Sequence, residues 1–267
     1  MDNIKKFTNA NRLAWNEVMP KHQQANGDKW DSLFSKKGFS VLSENESKQL
    51  KNINLPGKNV AHLCCNNGIE LLSLKNLRAN ICIGFDISEI AIQEATTRSN
   101  KLKIKCEYIE TDVYDIPEGY YNFFDIVYIS IGCFGWLPDL NKFFNKVNLL
   151  LKRNGRLFIH ELHPFSEMLS SDDNKDADPL KIIEPYFKKE PYEENTGIDY
   201  IGKTTYKSKI QYWFIWTLSD ILMNIINNKL KIIHFSEYQE DVSANHKRNQ
   251  DAGIKIPLSY ILIAEKE

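Results

Sequence analysis

Short segments rich in apolar residues alternate with amphipathic segments along the first 160 positions of the chain. The amphipathic segments repeat apolar residues at helical spacing, Ser88 precedes one of them as an N-cap, and Asp139 opens another. Strands that alternate with helices at this spacing, and are apolar on both faces, indicate a parallel, doubly wound α/β sheet. The predicted strands are 60–63, 81–85, 105–109, 124–130 and 156–160.

Two regions flank this core, which we place at 51–163. Residues 1–50 repeat apolar residues at helical spacing and predict an N-terminal helical cap. Residues 164–210 are polar and charged without a clear period, and their interleaved tyrosines predict an ordered lid inserted after the fifth strand.

The last part of the chain, 211–267, returns to regular patterns. A helical pattern at 218–227 is followed by strand patterns at 230–238 and 258–264, with a long connection between them. The two strands are expected to pair at an antiparallel end of the sheet. The predicted fold is therefore a seven-stranded, mostly parallel sheet with an antiparallel last strand.

Composition and charge narrow the function classes. The formal net charge is -1, so a general attraction to nucleic acid is not expected. No apolar run approaches the roughly 18 residues that a membrane helix needs, and the N-terminus lacks the apolar segment of a secretion signal. The five cysteines lie in or beside apolar runs, and none forms a pair with metal-ligand spacing. We expect reduced thiols, a cytoplasmic protein and no metal site.

Candidate ligand-binding residues follow four successive predicted strands. The loop 62–68 follows the first strand, Asp86 lies at the end of the second, Asp112 follows the third and 130–136 the fourth. Open α/β sheets bind ligands at these carboxyl ends, and an acid after the second strand can accept from both hydroxyls of a ribose. The first loop contains one glycine, Gly68, instead of three, so a nucleoside without phosphates fits better than a dinucleotide.

The same segments resemble a known family. The motifs are His-Leu-Cys-Cys-Asn-Asn-Gly at 62–68, Asp-Ile-Ser at 86–88, Asp-Val-Tyr-Asp at 112–115, Phe-Asp-Ile-Val at 124–127 and Glu-Leu-His-Pro at 161–164. In these motifs the chain is similar to the class I S-adenosylmethionine-dependent methyltransferases, above all to small bacterial members whose first motif reads His-Leu-x-Cys-x-x-Gly. The wider superfamily has an acid where this chain has His62, and glycines where it has Cys64 and Asn66.

The resemblance implies a Rossmann-like fold, S-adenosyl-L-methionine as cofactor and a small-molecule acceptor with an oxygen or nitrogen nucleophile. The first loop would hold the methionine moiety, Asp86 the ribose, and Asp112 with Val113 the adenine. Ser130 and Ile131 would lie near the sulfonium. The predicted cofactor-binding residues are Trp15, His62, Cys64, Cys65, Asn66, Gly68, Asp86, Ile87, Asp112, Val113, Ser130 and Ile131.

Methyl transfer from a sulfonium mainly requires alignment of nucleophile, methyl group and sulfur, and a base is needed only if the nucleophile must lose a proton. His163 is the candidate base, because the ordinary pKa of histidine, about 6.5, suits neutral pH. Glu161, at the same strand end, is the candidate to orient it. His22 and Trp15, on the helical cap, are expected to close over the cofactor or the acceptor.

Two other functions are compatible with the sequence. A nicotinamide-linked oxidoreductase would use the same sheet, but the missing glycines and Asp112 disfavour it. A non-catalytic S-adenosylmethionine-binding protein would keep the fold and turn over nothing. Nucleic acid as the acceptor is disfavoured, because acids interrupt the basic segment 181–189. The sequence leaves the oligomeric state open.

Overall fold

A seven-stranded sheet is the centre of the structure, a computed structural model that describes residues 3–172, 175–243 and 245–267. The strands of the structure are β1 (Val60–Leu63), β2 (Cys82–Asp86), β3 (Glu107–Glu110), β4 (Phe124–Ile129), β5 (Leu151–Leu162), β6 (Tyr192–Glu194), β7 (Gln211–Trp213), β8 (Leu230–Tyr238) and β9 (Ser259–Lys266). Those of the sheet lie in the order β3-β2-β1-β4-β5-β9-β8; the first five in this order are parallel, and β9 is antiparallel to both of its neighbours. Strands β6 and β7 form a separate antiparallel ribbon, called the β6–β7 ribbon below.

Helices cover both faces of the sheet. They are α1 (Asn3–Asn26), α2 (Lys29–Phe34), α3 (Glu44–Asn52), α4 (Ile69–Asn76), α5 (Glu89–Leu102), α6 (Leu140–Leu150), α7 (Leu218–Asn227) and α8 (Lys247–Asp251). Side chains alternate between the two faces of the sheet and build a core on each face. Along β4, Val127 and Ile129 pack with α6 and α7, whereas Ile126 and Tyr128 pack with α3 and α4. Burial on both faces explains why the parallel strands read as continuous apolar runs.

Local sequence signals place the helices that border the ligand-binding edge. The Ser88 hydroxyl accepts a hydrogen bond from the backbone N–H of Ala91 at 3.2 Å, so Ser88 is the N-cap of α5 as predicted. The Asp139 carboxylate accepts from the N–H of Lys142 at 2.9 Å and caps α6 in the same way.

The β6–β7 ribbon was not predicted from the sequence, and it joins the insertion to the helical cap. The buried Asn11 side chain of α1 donates to the carbonyl of Tyr212 at 3.0 Å and accepts from its N–H at 2.7 Å. This amide therefore satisfies the backbone of β7 as a neighbouring strand would. The ribbon spans the predicted boundary at 210 between lid and core.

The fold class expected from the sequence is confirmed: a mostly parallel, doubly wound sheet with an antiparallel last strand. Strand β5 is longer than predicted, because the left-handed backbone at Asn154, where φ is 61°, is accommodated as an irregularity within the strand. Over the described ranges, no helix is long and apolar enough to cross a membrane.

Candidate functional site

A cavity of about 1330 Å³ opens at the carboxyl ends of the first four strands, between α1, the loops of the sheet and the insertion. This is the edge where open α/β sheets bind ligands. The predicted site residues that line it are Trp15, His22, Cys64, Asn66, Asp86, Ile87, Asp112, Val113, Ser130 and Ile131.

The loop between β1 and α4 bends sharply at the floor of the cavity. Cys64, Asn66 and Gly68 all have left-handed backbone conformations, with φ of 54°, 48° and 76°. For Cys64 and Asn66 this conformation costs roughly 1–2 kcal/mol each. A side chain at Gly68 would also collide with Tyr108, whose ring lies 2.5 Å from the position of a Cβ atom. The tight turn brings backbone close to the cavity, as a bound ligand would require.

Asp86 ties this loop to the end of β2. One carboxylate oxygen accepts from the N–H of Asn66 at 2.8 Å, and the other accepts from the N–H of Ser88 at 2.9 Å. Burial raises the pKa of Asp86, and these backbone donors oppose the rise. Each oxygen retains a further lone pair, so the carboxylate can still accept from a ligand hydroxyl.

Asp112 lies beyond β3 and is tied to the helical cap. It accepts from the N–H of Tyr114 at 3.1 Å and forms an ion pair with Lys5 of α1 at 2.8 Å. The ammonium of Lys5 also contacts Asp115. The cap is thus fastened to the side of the cavity where Asp112 and Val113 are exposed to a ligand.

Three predicted cofactor residues, His62, Cys65 and Gly68, support the cavity without being part of its lining. The fully buried His62 lies with Nε2 2.9 Å from the Ser130 hydroxyl and joins β1 to the loop after β4. Burial lowers the pKa of His62 to about 3, so the ring is neutral at physiological pH. Cys65 is also fully buried, and its Sγ packs on Gly84.

Glu161 holds the loop after β4 in place through hydrogen bonds to its backbone. Its buried carboxylate accepts backbone N–H bonds from Gly132 at 2.5 Å, Cys133 at 2.8 Å and Phe134 at 3.3 Å. Burial raises the pKa of Glu161 to about 7, and the backbone donors oppose that rise. Glu161 is therefore a positioning residue: it fixes the segment that carries Ser130 and Ile131 and does not line the cavity.

His163 lies away from the cavity lining, contrary to the expectation that it faces the pocket. Its Nδ1 accepts from the N–H of Phe165 at 3.1 Å, and its Nε2 lies 3.0 Å from a carboxylate oxygen of Glu237 on β8. The physical reason is that β5 ends at Leu162 and the chain turns at His163. Nδ1 is therefore engaged by the backbone, and Nε2 lies beside a carboxylate away from the cavity lining.

His22, by contrast, lies on the cavity wall. Its Nε2 is 3.2 Å from the carbonyl oxygen of Ile198 and 3.5 Å from a carboxylate oxygen of Asp199. Its Nδ1 has no hydrogen-bond partner within the described part of the chain. Burial lowers the pKa of His22, and Asp199 opposes that shift. A neutral ring that donates from Nε2 leaves Nδ1 as a free acceptor.

Residues 61–159, which contain this loop and all four strand ends, match a family model described as a methyltransferase domain. This chain carries a methyltransferase domain. No curated protein matches the chain.

Solved structures support the same fold for the methyltransferase. An S-adenosylmethionine dependent methyltransferase from Mesorhizobium loti is 17% identical, with a TM-score of 0.55 over 83% of this chain and 97% of that one. The magnesium protoporphyrin IX methyltransferase from Synechocystis, with bound S-adenosylhomocysteine, is 15% identical, with a TM-score of 0.56 over 96% and 97%. Geranyl diphosphate C-methyltransferase from Streptomyces coelicolor is 11% identical, with a TM-score of 0.56 over 85% and 79%.

The match to a methyltransferase-domain model over residues 61–159 agrees with the predicted methyltransferase family and with the prediction of an enzyme. Sequence reasoning missed the far wall of the methyltransferase cavity. That wall is formed by Glu167 and the β6–β7 ribbon. No local pattern marks residues 192–194 and 211–213, because strands of three residues are too short to show a period.

Proposed function

We propose that this methyltransferase transfers the methyl group of S-adenosylmethionine to a small-molecule acceptor with an oxygen or nitrogen nucleophile. The observation that carries the proposal is one continuous cavity. The predicted cofactor residues that line the cavity from the loops of the sheet form one wall, and the helical cap and the β6–β7 ribbon form the other. At about 1330 Å³ it exceeds the roughly 300–1,000 Å³ of a typical single-ligand pocket, which suits a nucleoside cofactor together with an acceptor.

The cavity residues suit the groups of S-adenosylmethionine. Asp86 would accept from the ribose hydroxyls with its remaining lone pairs, and Asp112 with Val113 would border the adenine. The turn from Cys64 to Asn66 would hold the methionine moiety with backbone groups. When bound, the cofactor supplies a methyl group whose carbon–sulfur bond breaks, with its electron pair going to sulfur, as the acceptor lone pair forms the new bond.

We assign the role of general base to His22. Its free Nδ1 faces no competing donor in the described chain, and its lowered pKa keeps it neutral at pH 7. On taking a proton from the acceptor it would become an imidazolium, which the Asp199 carboxylate at 3.5 Å would stabilise. Alignment by the fixed segment 130–134 would supply most of the remaining rate enhancement.

Label transfer tests the proposal. The protein is incubated with methyl-labelled S-adenosylmethionine and a cell extract, which is then separated into small molecules, protein and nucleic acid. We expect enzyme-dependent label in the small-molecule fraction, and several-fold less with Asp86→Ala at the same, sub-saturating cofactor concentration. Label confined to protein or nucleic acid would contradict a small-molecule acceptor. Absence of S-adenosylhomocysteine binding in calorimetry would contradict the proposed cofactor site itself.

A further inference from the structure

One face of the β6–β7 ribbon forms part of the cavity wall. Tyr192 pairs with Trp213, and Glu194 pairs with Gln211. Directly paired residues, and residues two apart on a strand, point to the same side of a sheet. All four of these side chains belong to the cavity lining, whereas Tyr212 between them points the other way and packs against Phe7 of α1.

Trp213 is held in place next to the loop after β4. Its indole N–H donates to a carboxylate oxygen of Glu167 at 3.1 Å. Its ring packs on Gly135, where a Cβ atom would come within 2.3 Å of it. Its centroid lies 4.9 Å from that of Trp136, which in turn lies 5.3 Å from that of Trp15. Three indoles therefore form a continuous aromatic wall beside the Ser130 segment.

The side chain of Gln211, on this wall, has a buried oxygen that lacks a hydrogen-bond donor within the described residues. The side chain is 3% exposed, and the unpaired atom is its carbonyl oxygen Oε1. A buried acceptor without a partner costs about 1–3 kcal/mol. A ligand that brings an N–H or O–H group to this position would remove that cost. The unpaired atom is independent evidence that the ribbon face contacts a ligand.

The charges of the cavity lining indicate whether the donor group of the ligand is neutral or positively charged. Among the described residues that line the cavity, eight are carboxylates and two are lysines, Lys175 and Lys203. Glu167, Glu184 and Glu194 belong to the insertion side of the cavity. Burial raises the pKa of Glu167, and the Trp213 N–H and the nearby His246 oppose that rise. Faces of tryptophan rings attract ammonium groups, most strongly where both are desolvated.

We propose that the acceptor carries a protonated amine, which binds against Trp136 and Trp213 with Glu167 as its counter-charge and Gln211 Oε1 as a hydrogen-bond acceptor. This inference rests on the proposed function, since it names the acceptor class of the same cavity. The amine is an anchoring group, whichever atom of the acceptor is methylated.

Matched pairs of amines and alcohols test the anchor. Calorimetry on the full chain, saturated with S-adenosylhomocysteine, compares butylamine with butanol and phenethylamine with phenethyl alcohol at pH 7. Each alcohol keeps the carbon skeleton and a hydrogen-bond donor but lacks the charge. We expect at least one amine to bind about tenfold or more tightly than its alcohol. Equal affinities, or no binding of either amine, would overturn the inference.

Variants of single residues show which side chains produce the preference for the amine over the alcohol. Glu167→Gln keeps an acceptor for the Trp213 N–H and removes the charge, so the preference for the amine should fall to near unity. Trp213→Phe should weaken amine binding several-fold, whereas the surface variant Glu118→Gln should leave it unchanged. A preference that survives Glu167→Gln would also overturn the inference. S-adenosylhomocysteine binding by each protein reports separately on the proposed function and on folding. If it is normal while the amine preference is absent, only the anchor is wrong.

Discussion

At the scale of single residues, Asp86 at the end of β2 fixes the conformation of the loop after β1. Asp86 accepts from the backbone of Asn66, and that loop holds three residues in the left-handed region. Burial already raises the pKa of this carboxylate, and a ligand that covers it removes further solvation. That loss is unfavourable unless the ligand donates hydrogen bonds to the carboxylate. The residue is therefore suited to binding hydroxyl groups.

Asp86→Ala should weaken S-adenosylhomocysteine binding tenfold or more. Hydrogen bonds to a charged group contribute roughly 1.5–3 kcal/mol each, and the loop also loses its anchor. Isothermal calorimetry measures the effect, with the surface carboxylate variant Asp251→Asn as control. Unchanged affinity in Asp86→Ala would show that the ribose is held elsewhere.

His22→Gln should lower turnover about a hundredfold with the acceptor found by label transfer, while cofactor affinity stays within a few-fold. The pKa of His22 is lowered from its ordinary value of 6.5, so the base is already neutral at pH 7. The wild-type rate should rise with pH through a midpoint below 6.5 and then level off, and His22→Gln should lose that rise. His163→Gln is the matched comparison. If that variant loses the pH dependence instead, the base is His163, as the sequence suggests.

At the scale of elements, the sequence predicts those helices and strands whose bounds are set by local signals such as caps and long apolar runs. The helix Leu218–Asn227 and the strand Leu230–Tyr238 match their predicted bounds, since a capping Thr217 and a long apolar strand are local signals. The β6–β7 ribbon could not be predicted, because its three-residue strands depend on tertiary partners such as Asn11. The orientation of His163 also depends on how the chain turns after β5.

The insertion should behave as a lid whose protection depends on ligands. Its segment 202–205 is exposed, while residues 198–200 contact His22 of the cap and line the cavity. Trypsin should cleave after Lys203 or Lys207 in the free protein, and more slowly with S-adenosylhomocysteine and an acceptor bound. Cleavage after Lys103, at the end of α5, serves as the internal control. Identical rates with and without ligands would argue against a lid.

At the scale of the whole molecule, charge and stability are distributed unevenly. The net charge of -1 gives no hint that carboxylates outnumber lysines among the described residues of the cavity lining, because lysines elsewhere in the chain balance them. Three buried histidines, His22, His62 and His163, have pKa values lowered by burial. Their folded forms resist protonation, whereas the unfolded chain binds protons at the ordinary histidine pKa.

The protein should therefore lose stability in mild acid. The fully buried His62 should contribute strongly to this loss. Its pKa is about 3 in the folded protein and 6.5 when unfolded, so below pH 6.5 protons bind the unfolded chain first. The free energy of unfolding should fall as the pH decreases from about 6.5 towards 3, by up to about 1.4 kcal/mol per pH unit from this group. Urea unfolding of wild type and His62→Gln across this range measures it. The glutamine can still bond to Ser130 but cannot take up a proton, so its curve should be shallower in acid. Every other titrating group is shared by the two proteins, so parallel curves would mean that His62 is protonated in the folded state as readily as in the unfolded chain.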